Sequence, residues 1–233
     1  MSAFQLLLMT NHAMINKLRS AKNRIFGLYH RFLAWCRMCG LACVTLVRRT
    51  NTPVWKKVAF AGPPSWDERN VIIAGFIPAG SSVLDIGCGA QTLKQHLKPG
   101  CKYQPSDIIK STPDVILCDI NAGIYPQTDK NFDFVVCSGL FEYMRKPEEF
   151  LARIPRLGRT VIMSYCPLFE GGSKLARLGN GYGWVNHYKK DELENLFTAQ
   201  ELQWSVLHTE EGHYVIYSLK SEERKSKAET LTC

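Results

Sequence analysis

The stretch VLDIGCGA at 83–90 limits what this chain can fold into more than any other. An apolar run carries an acid near its end, and two glycines follow. The run reads as a buried strand. Gly87 and Gly89 let the backbone turn sharply and let a ligand come close to it. A helix starting next would offer free N–H groups to an anion. The dinucleotide pattern G-x-G-x-x-G would need a third glycine at position 92, which is Thr92. That departure argues against a nicotinamide- or flavin-dependent oxidoreductase.

The residues around this turn alternate between apolar runs and polar helical patterns, as βαβ units do. Strands are expected at 83–87, 102–108, 114–120, 132–138 and 160–166, with Pro105 weakening the second. Helices are expected at 92–98, at 147–154 with Pro147 in the first turn, and at 189–200. Segments 202–210 and 213–220, joined by Glu211 and Gly212, read as a hairpin. A parallel sheet that ends in a hairpin must contain one strand that runs backwards. The expected fold is a three-layer, Rossmann-like α/β sheet, mostly parallel with one antiparallel strand. It would span 58–219, between a basic helical extension at 1–57 and a solvated tail at 220–233.

In order along the chain, these segments resemble the class I S-adenosylmethionine-dependent methyltransferases. The family pattern D-x-G-x-G-x-G is met by Asp85, Gly87 and Gly89, with Gln91 in place of the last glycine. The resemblance implies S-adenosylmethionine as cofactor, with Asp85 near its cationic amino-acid end. It implies Asp107, at the tip of the second strand, as acceptor for the ribose hydroxyls. Asp119, at the tip of the third, would hold the adenine edge, and Ser138 would close the fourth strand at the pocket. A finer likeness is to small bacterial type-11-like methyltransferases. It rests on Trp66-Asp67-Glu68-Arg69 before the glycine turn and on GWVNHY at 183–188. Some members of that group modify cell-envelope sugars, so the implied acceptor is a small molecule or glycan.

Methyl transfer from a sulfonium is an in-line displacement in which positioning supplies most of the effect. An oxygen acceptor also benefits from a general base. His187, in an aromatic and glycine-rich segment, is the candidate. Glu142 and Tyr143 stand where the family often has Glu-His, and both read as pocket-shaping residues. A non-catalytic S-adenosylmethionine-binding module that has lost its acceptor site is the alternative function.

Residues 1–57 hold ten Lys and Arg and no Asp or Glu. Taking those ten from the net charge of +8 leaves −2 for the rest of the chain. The asymmetry suits an anionic partner for this segment alone, with a lipid surface favoured over nucleic acid. The apolar run 32–47 is too short to span a bilayer. A membrane-surface helix, a lid over the cofactor pocket and an organelle transit peptide all stay open for 1–57. Cys36, Cys39 and Cys43 share one helical face and read as a buried apolar stripe rather than a metal site. An odd number of cysteines, nine, scattered through apolar stretches suits free thiols in a reducing, cytoplasmic setting, with contact at the membrane periphery allowed.

Overall fold

The computed structural model describes residues 64–128, 131–174, 177 and 184–221. Before residue 64 it describes 22, 24–30, 32–33, 35–37, 39–40, 43–44, 47–48, 50–52 and 55. Seven strands form one sheet: β1 Ser82–Ile86, β2 Lys102–Asp107, β3 Ile116–Leu117, β4 Phe132–Ser138, β5 Gly158–Tyr165, β6 Leu202–Glu210 and β7 Tyr214–Ser221. Their spatial order is β3-β2-β1-β4-β5-β7-β6. All pairings among β1–β5 are parallel, whereas β7 is antiparallel to both β5 and β6. The hairpin therefore supplies one reversed strand, as its turn residues imply, and Gly212 in that turn has φ 74°.

Strand alternation divides the core in two. Leu84, Val135, Met163 and Tyr217 point to one face and pack with Phe150, Leu151, Leu193 and Phe197. Those last four come from α3 (Pro147–Arg153) and α4 (Lys190–Ala199). Val83, Val136, Ile162 and Ile216 point to the other face and meet Ile73, Ala74, Ile77 and Leu93. That layer is built by α1 (Pro64–Gly75), its C-terminal turn and α2 (Thr92–His96). The result is the expected three layers.

Two elements differ from expectation, the third strand and α1. The third strand is two residues long rather than seven, because it is a sheet edge that meets only Ser106 and Asp107. That edge also explains how Pro105 sits inside β2. Lys102 N–H donates to Ser81 and Ser106 O accepts from Gly87, so the even-numbered residues of β2 face β1. Pro105 faces the β3 side, where pairing has barely begun, so its missing N–H forfeits no ladder bond. The other difference is α1, which shows no helical apolar periodicity in the sequence, although its last turn seals one core layer.

The described residues in 24–48 are helical, but the buried cysteine stripe is not found: Cys36 and Cys43 are exposed and Cys39 is half-buried. Cys88, Cys118 and Cys137 are buried free thiols. No helix among the described residues is long and apolar enough to cross a membrane. The tail from 222 onward lies outside the described residues.

Candidate functional site

The carboxyl ends of β1, β2, β4 and β5 open into one cavity of about 1120 Å³. That exceeds the ~300–1,000 Å³ usual for one small ligand, so there is room for two side by side. Asp85, Gly87, Gly89, Asp107, Asp119 and Ser138 all line it. The six positions named from the sequence are thus brought together from four strand tips.

Asp107 ends β2 and is 8% exposed. Its Oδ2 accepts Gly89 N–H and its Oδ1 accepts Ile109 N–H, both at 2.9 Å. Asp107 also lines the cavity, and a carboxylate offers about four acceptor sites in all. Burial raises the Asp107 pKa, and the backbone donors hold the rise down. Asp85 lies deeper, within β1, and its Oδ2 accepts Tyr103 Oη–H at 2.7 Å. Burial pushes its carboxyl up to about 7, against the pull of the Tyr103 hydrogen bond, and Asp107 adds like-charge repulsion.

Gly87 and Gly89 have φ of 80° and 50°, which only glycine adopts freely. A Cβ on Gly89 would meet nothing within 4 Å, so this backbone borders open cavity. Gln91, in place of the family's last glycine, takes the left-handed conformation itself, with φ 59°. Its side chain turns away to donate to Thr112 Oγ1 at 2.9 Å. The substitution therefore leaves the cavity wall unobstructed.

Asp119 is held by its neighbours. Its Oδ2 accepts the Thr50 hydroxyl at 2.5 Å, and its Oδ1 accepts Ala122 N–H at the start of a 3-10 turn. Thr50 belongs to a strap that comes over the cavity. Asn51 Oδ1 accepts from Asn121 at 3.2 Å, and the Trp55 ring lies 5.5 Å from Tyr143 and 6.2 Å from Trp66. Asn51 and Trp55 are cavity-lining residues, so at least this part of the N-terminal region covers the site. The Ser138 hydroxyl accepts Arg69 Nε–H at 2.9 Å and hydrogen-bonds Asn70 Oδ1 at 3.1 Å, which fixes Arg69 in the cavity.

His187 is placed differently from expectation: it does not line the cavity. It is half-buried, its Nδ1 has no hydrogen-bond partner, and burial together with Arg177 and Lys174 lowers its pKa. Its neighbour Asn186 has a structural task instead. Asn186 Nδ2 donates to Phe141 O and Met144 O, pinning the 3-10 turn that carries Glu142 and Tyr143. Both of these do line the cavity and are buried. Sequence reading missed Arg69 and Arg177 as site residues. Arg69 was quoted only as part of a family likeness, and Arg177 gave no signal. No group of three or more metal-ligating side chains occurs among the described residues.

The family described as methionine biosynthesis protein MetW matches residues 67–181. A curated relative from Rhodopirellula baltica, described as a bifunctional methionine biosynthesis protein MetXA/MetW, is 29% identical over 117 residues. That match covers 42% of this chain, and the chain spans only 18% of the relative's length. Among solved structures, a SAM-dependent methyltransferase from Aquifex aeolicus superposes with a TM-score of 0.52 at 15% identity. The superposition covers 72% of this chain and 97% of that one. CalO1, a methyltransferase of calicheamicin biosynthesis in its SAH-bound form, matches with a TM-score of 0.48 at 20% identity. It covers 66% of this chain and 54% of that one. The fold is that of the class I methyltransferases.

Proposed function

We propose that this chain, built on the class I methyltransferase fold, binds S-adenosylmethionine and transfers its methyl group to a small acceptor. The observation that carries the reading is the pair of buried carboxylates at adjacent strand tips. Asp107 keeps acceptor directions for two neighbouring hydroxyls, and Asp85 suits an ammonium group. The open space beside Gly89 fits a ligand pressed against backbone. S-adenosylmethionine supplies a methyl group already activated on a sulfonium. The chain's own residues bind the ribose at Asp107, orient the amino-acid end at Asp85, and exclude water with Trp55 and Tyr143.

Calorimetry of the full chain against S-adenosylhomocysteine, with NAD and FAD as controls, tests this. Binding of S-adenosylhomocysteine alone is the expected result, and preference for either dinucleotide overturns it. A non-catalytic module is the second reading. The position of His187 off the cavity favours it, because the leading base candidate is not beside the acceptor space. Methyl transfer to any acceptor decides against that reading. The matching family and the curated relative are methionine biosynthesis proteins, and that is the setting in which either role is first tested.

The N-terminal region divides between two of the roles its sequence allows. Asn51 and Trp55, which line the cavity, act as the lid. The helical residues before them suit an anionic membrane surface, because Ile25, Phe26, Leu28 and Phe32 are each 59–67% exposed within an acid-free, basic segment. Basic side chains reach headgroups while apolar ones enter the acyl boundary, at about 1 kcal/mol per basic residue. The full chain is expected to co-sediment with phosphatidylglycerol vesicles at low salt. A chain starting at Thr50 is expected to stay in the supernatant, and equal behaviour of the two rejects the membrane role.

A further inference from the structure

The half of the cavity beside Ser138 and Cys166 carries two guanidinium groups, neither of them in an ion pair among the described residues. Arg69 is 8% exposed and makes one hydrogen bond, from Nε to Ser138, with its guanidinium 5.8 Å from the Tyr214 ring centre. It lies flush on Gly139, where φ is 62° and a Cβ would come within 2.7 Å of Nη2. Arg177 donates from Nη2 to Cys166 O and stacks 4.8 Å over Trp184. Its Nη1 is buried and has no hydrogen-bond partner. Neither arginine has a carboxylate within 4.0 Å among the described residues.

The two arginines flank one spot. Both act electrostatically on Cys166, the first residue after β5. Glu142 is beside them and fully buried. Its Oε1 accepts Cys166 N–H at 2.9 Å, and its Oε2 is buried without a hydrogen-bond partner. One carboxyl cannot neutralise two guanidinium groups; burial raises its pKa, against the pull of the Arg69 charge and of the Cys166 N–H. Among the other acids on this wall, Asp67 is 2.8 Å from His96 and Glu210 is 3.6 Å from His208, while Glu68 forms no ion pair with either arginine. A buried cation left unpaired is costly, and a ligand that brings the counter-charge removes that cost. Around the arginines the wall is aromatic, with Trp55, Trp66, Tyr143, Phe169 and Trp184.

We propose that this half of the cavity takes an acceptor with an apolar or aromatic body and one anionic group, a carboxylate or phosphate, held between Arg69 and Arg177. The proposal rests on the reading that the other half holds S-adenosylmethionine, and it names the class of its partner substrate. An acceptor that is already an anion also agrees with the absence of His187 from the wall, because a carboxylate oxygen needs no base to become a nucleophile.

The test uses the full chain, with and without saturating S-adenosylhomocysteine, and ligand-observed NMR of benzoate, phenyl phosphate and the neutral isostere benzamide. Benzoate or phenyl phosphate is expected to bind at least tenfold more tightly than benzamide, and the better of the two identifies the anion. Arg177→Met is expected to weaken that binding at least tenfold while S-adenosylhomocysteine affinity holds, with Arg177→Lys in between. Benzamide binding as well as benzoate, no binding of either anion, or an unaffected Arg177→Met overturns the proposal. Failure of S-adenosylhomocysteine to bind overturns the cofactor reading alone, because the anion comparison is still read without it.

Discussion

Asp107→Ala is expected to lower affinity for S-adenosylhomocysteine by about 10- to 100-fold, the equivalent of ~1.5–3 kcal/mol for a charge-assisted pair of hydrogen bonds. The side chain has two tasks. It presents acceptor directions to the cavity, and it holds the Gly89 and Ile109 N–H groups that shape the turn. Alanine removes both. Asp107→Asn separates them, since the amide oxygen still accepts one backbone N–H while the charge is lost. Calorimetry on both variants reads the effect. Unchanged affinity in Asp107→Ala would place the ribose elsewhere on the wall and sink the assignment of the second strand tip.

The second large effect runs in opposite directions for stability and for binding. Asp85 has a carboxyl pKa of about 7 in the folded chain against an ordinary value of 3.8. A raised carboxyl pKa means that the folded chain holds its proton more tightly than the unfolded chain does. Its contribution to stability is therefore greatest below the ordinary value and is lost as pH rises toward 7. Asp85→Asn removes this dependence and keeps an oxygen for Tyr103 Oη–H. The stability of the variant relative to the parent is expected to rise by about 2–3 kcal/mol between pH 5 and pH 8. Urea unfolding at the two pH values measures it. At pH 8 the variant is expected to bind S-adenosylhomocysteine more weakly than the parent, because the ammonium loses its counter-charge, and the gap narrows toward pH 5, where the parent carboxyl is itself protonated. A stability difference that does not change with pH would mean that the buried carboxyl ionises as an ordinary acid. In the expected outcome the destabilised parent carboxylate is a site retained for its ligand at the expense of the fold.

How much of this was legible depends on what each residue faces. β1, β4 and β5 are covered on both sides, so they appear in the sequence as nearly unbroken apolar runs, and their bounds are met within two residues. β3 is an edge, and its seven-residue apolar run describes burial of Val115 and Cys118 rather than pairing. α1 was illegible because its two sides serve different ends. Ile73 and Ala74 face the core while Arg69 and Asn70 face the cavity, which erases the usual polar and apolar halves. The acids at strand tips could be found because glycine spacing marks the first tip and the others follow in order. Arg177 could not, since its role depends on a stack over Trp184 and a carbonyl eleven residues earlier. His187 misled for the same reason: an aromatic, glycine-rich segment indicates proximity to a site without saying which side chain turns inward.

Three of the chain's five tryptophans, Trp55, Trp66 and Trp184, line the one cavity. They come from three separated stretches: the strap, α1 and the segment before α4. Indole emission is sensitive to the polarity and charge beside the ring, so the molecule carries its own optical reporter of occupancy. The reporter is also resolved in space. Trp184 stacks on the guanidinium of Arg177, and Trp55 rides on the strap. Single Trp→Phe replacements would therefore separate the arrival of a ligand at the arginine end from closure of the strap, with no added dye or label.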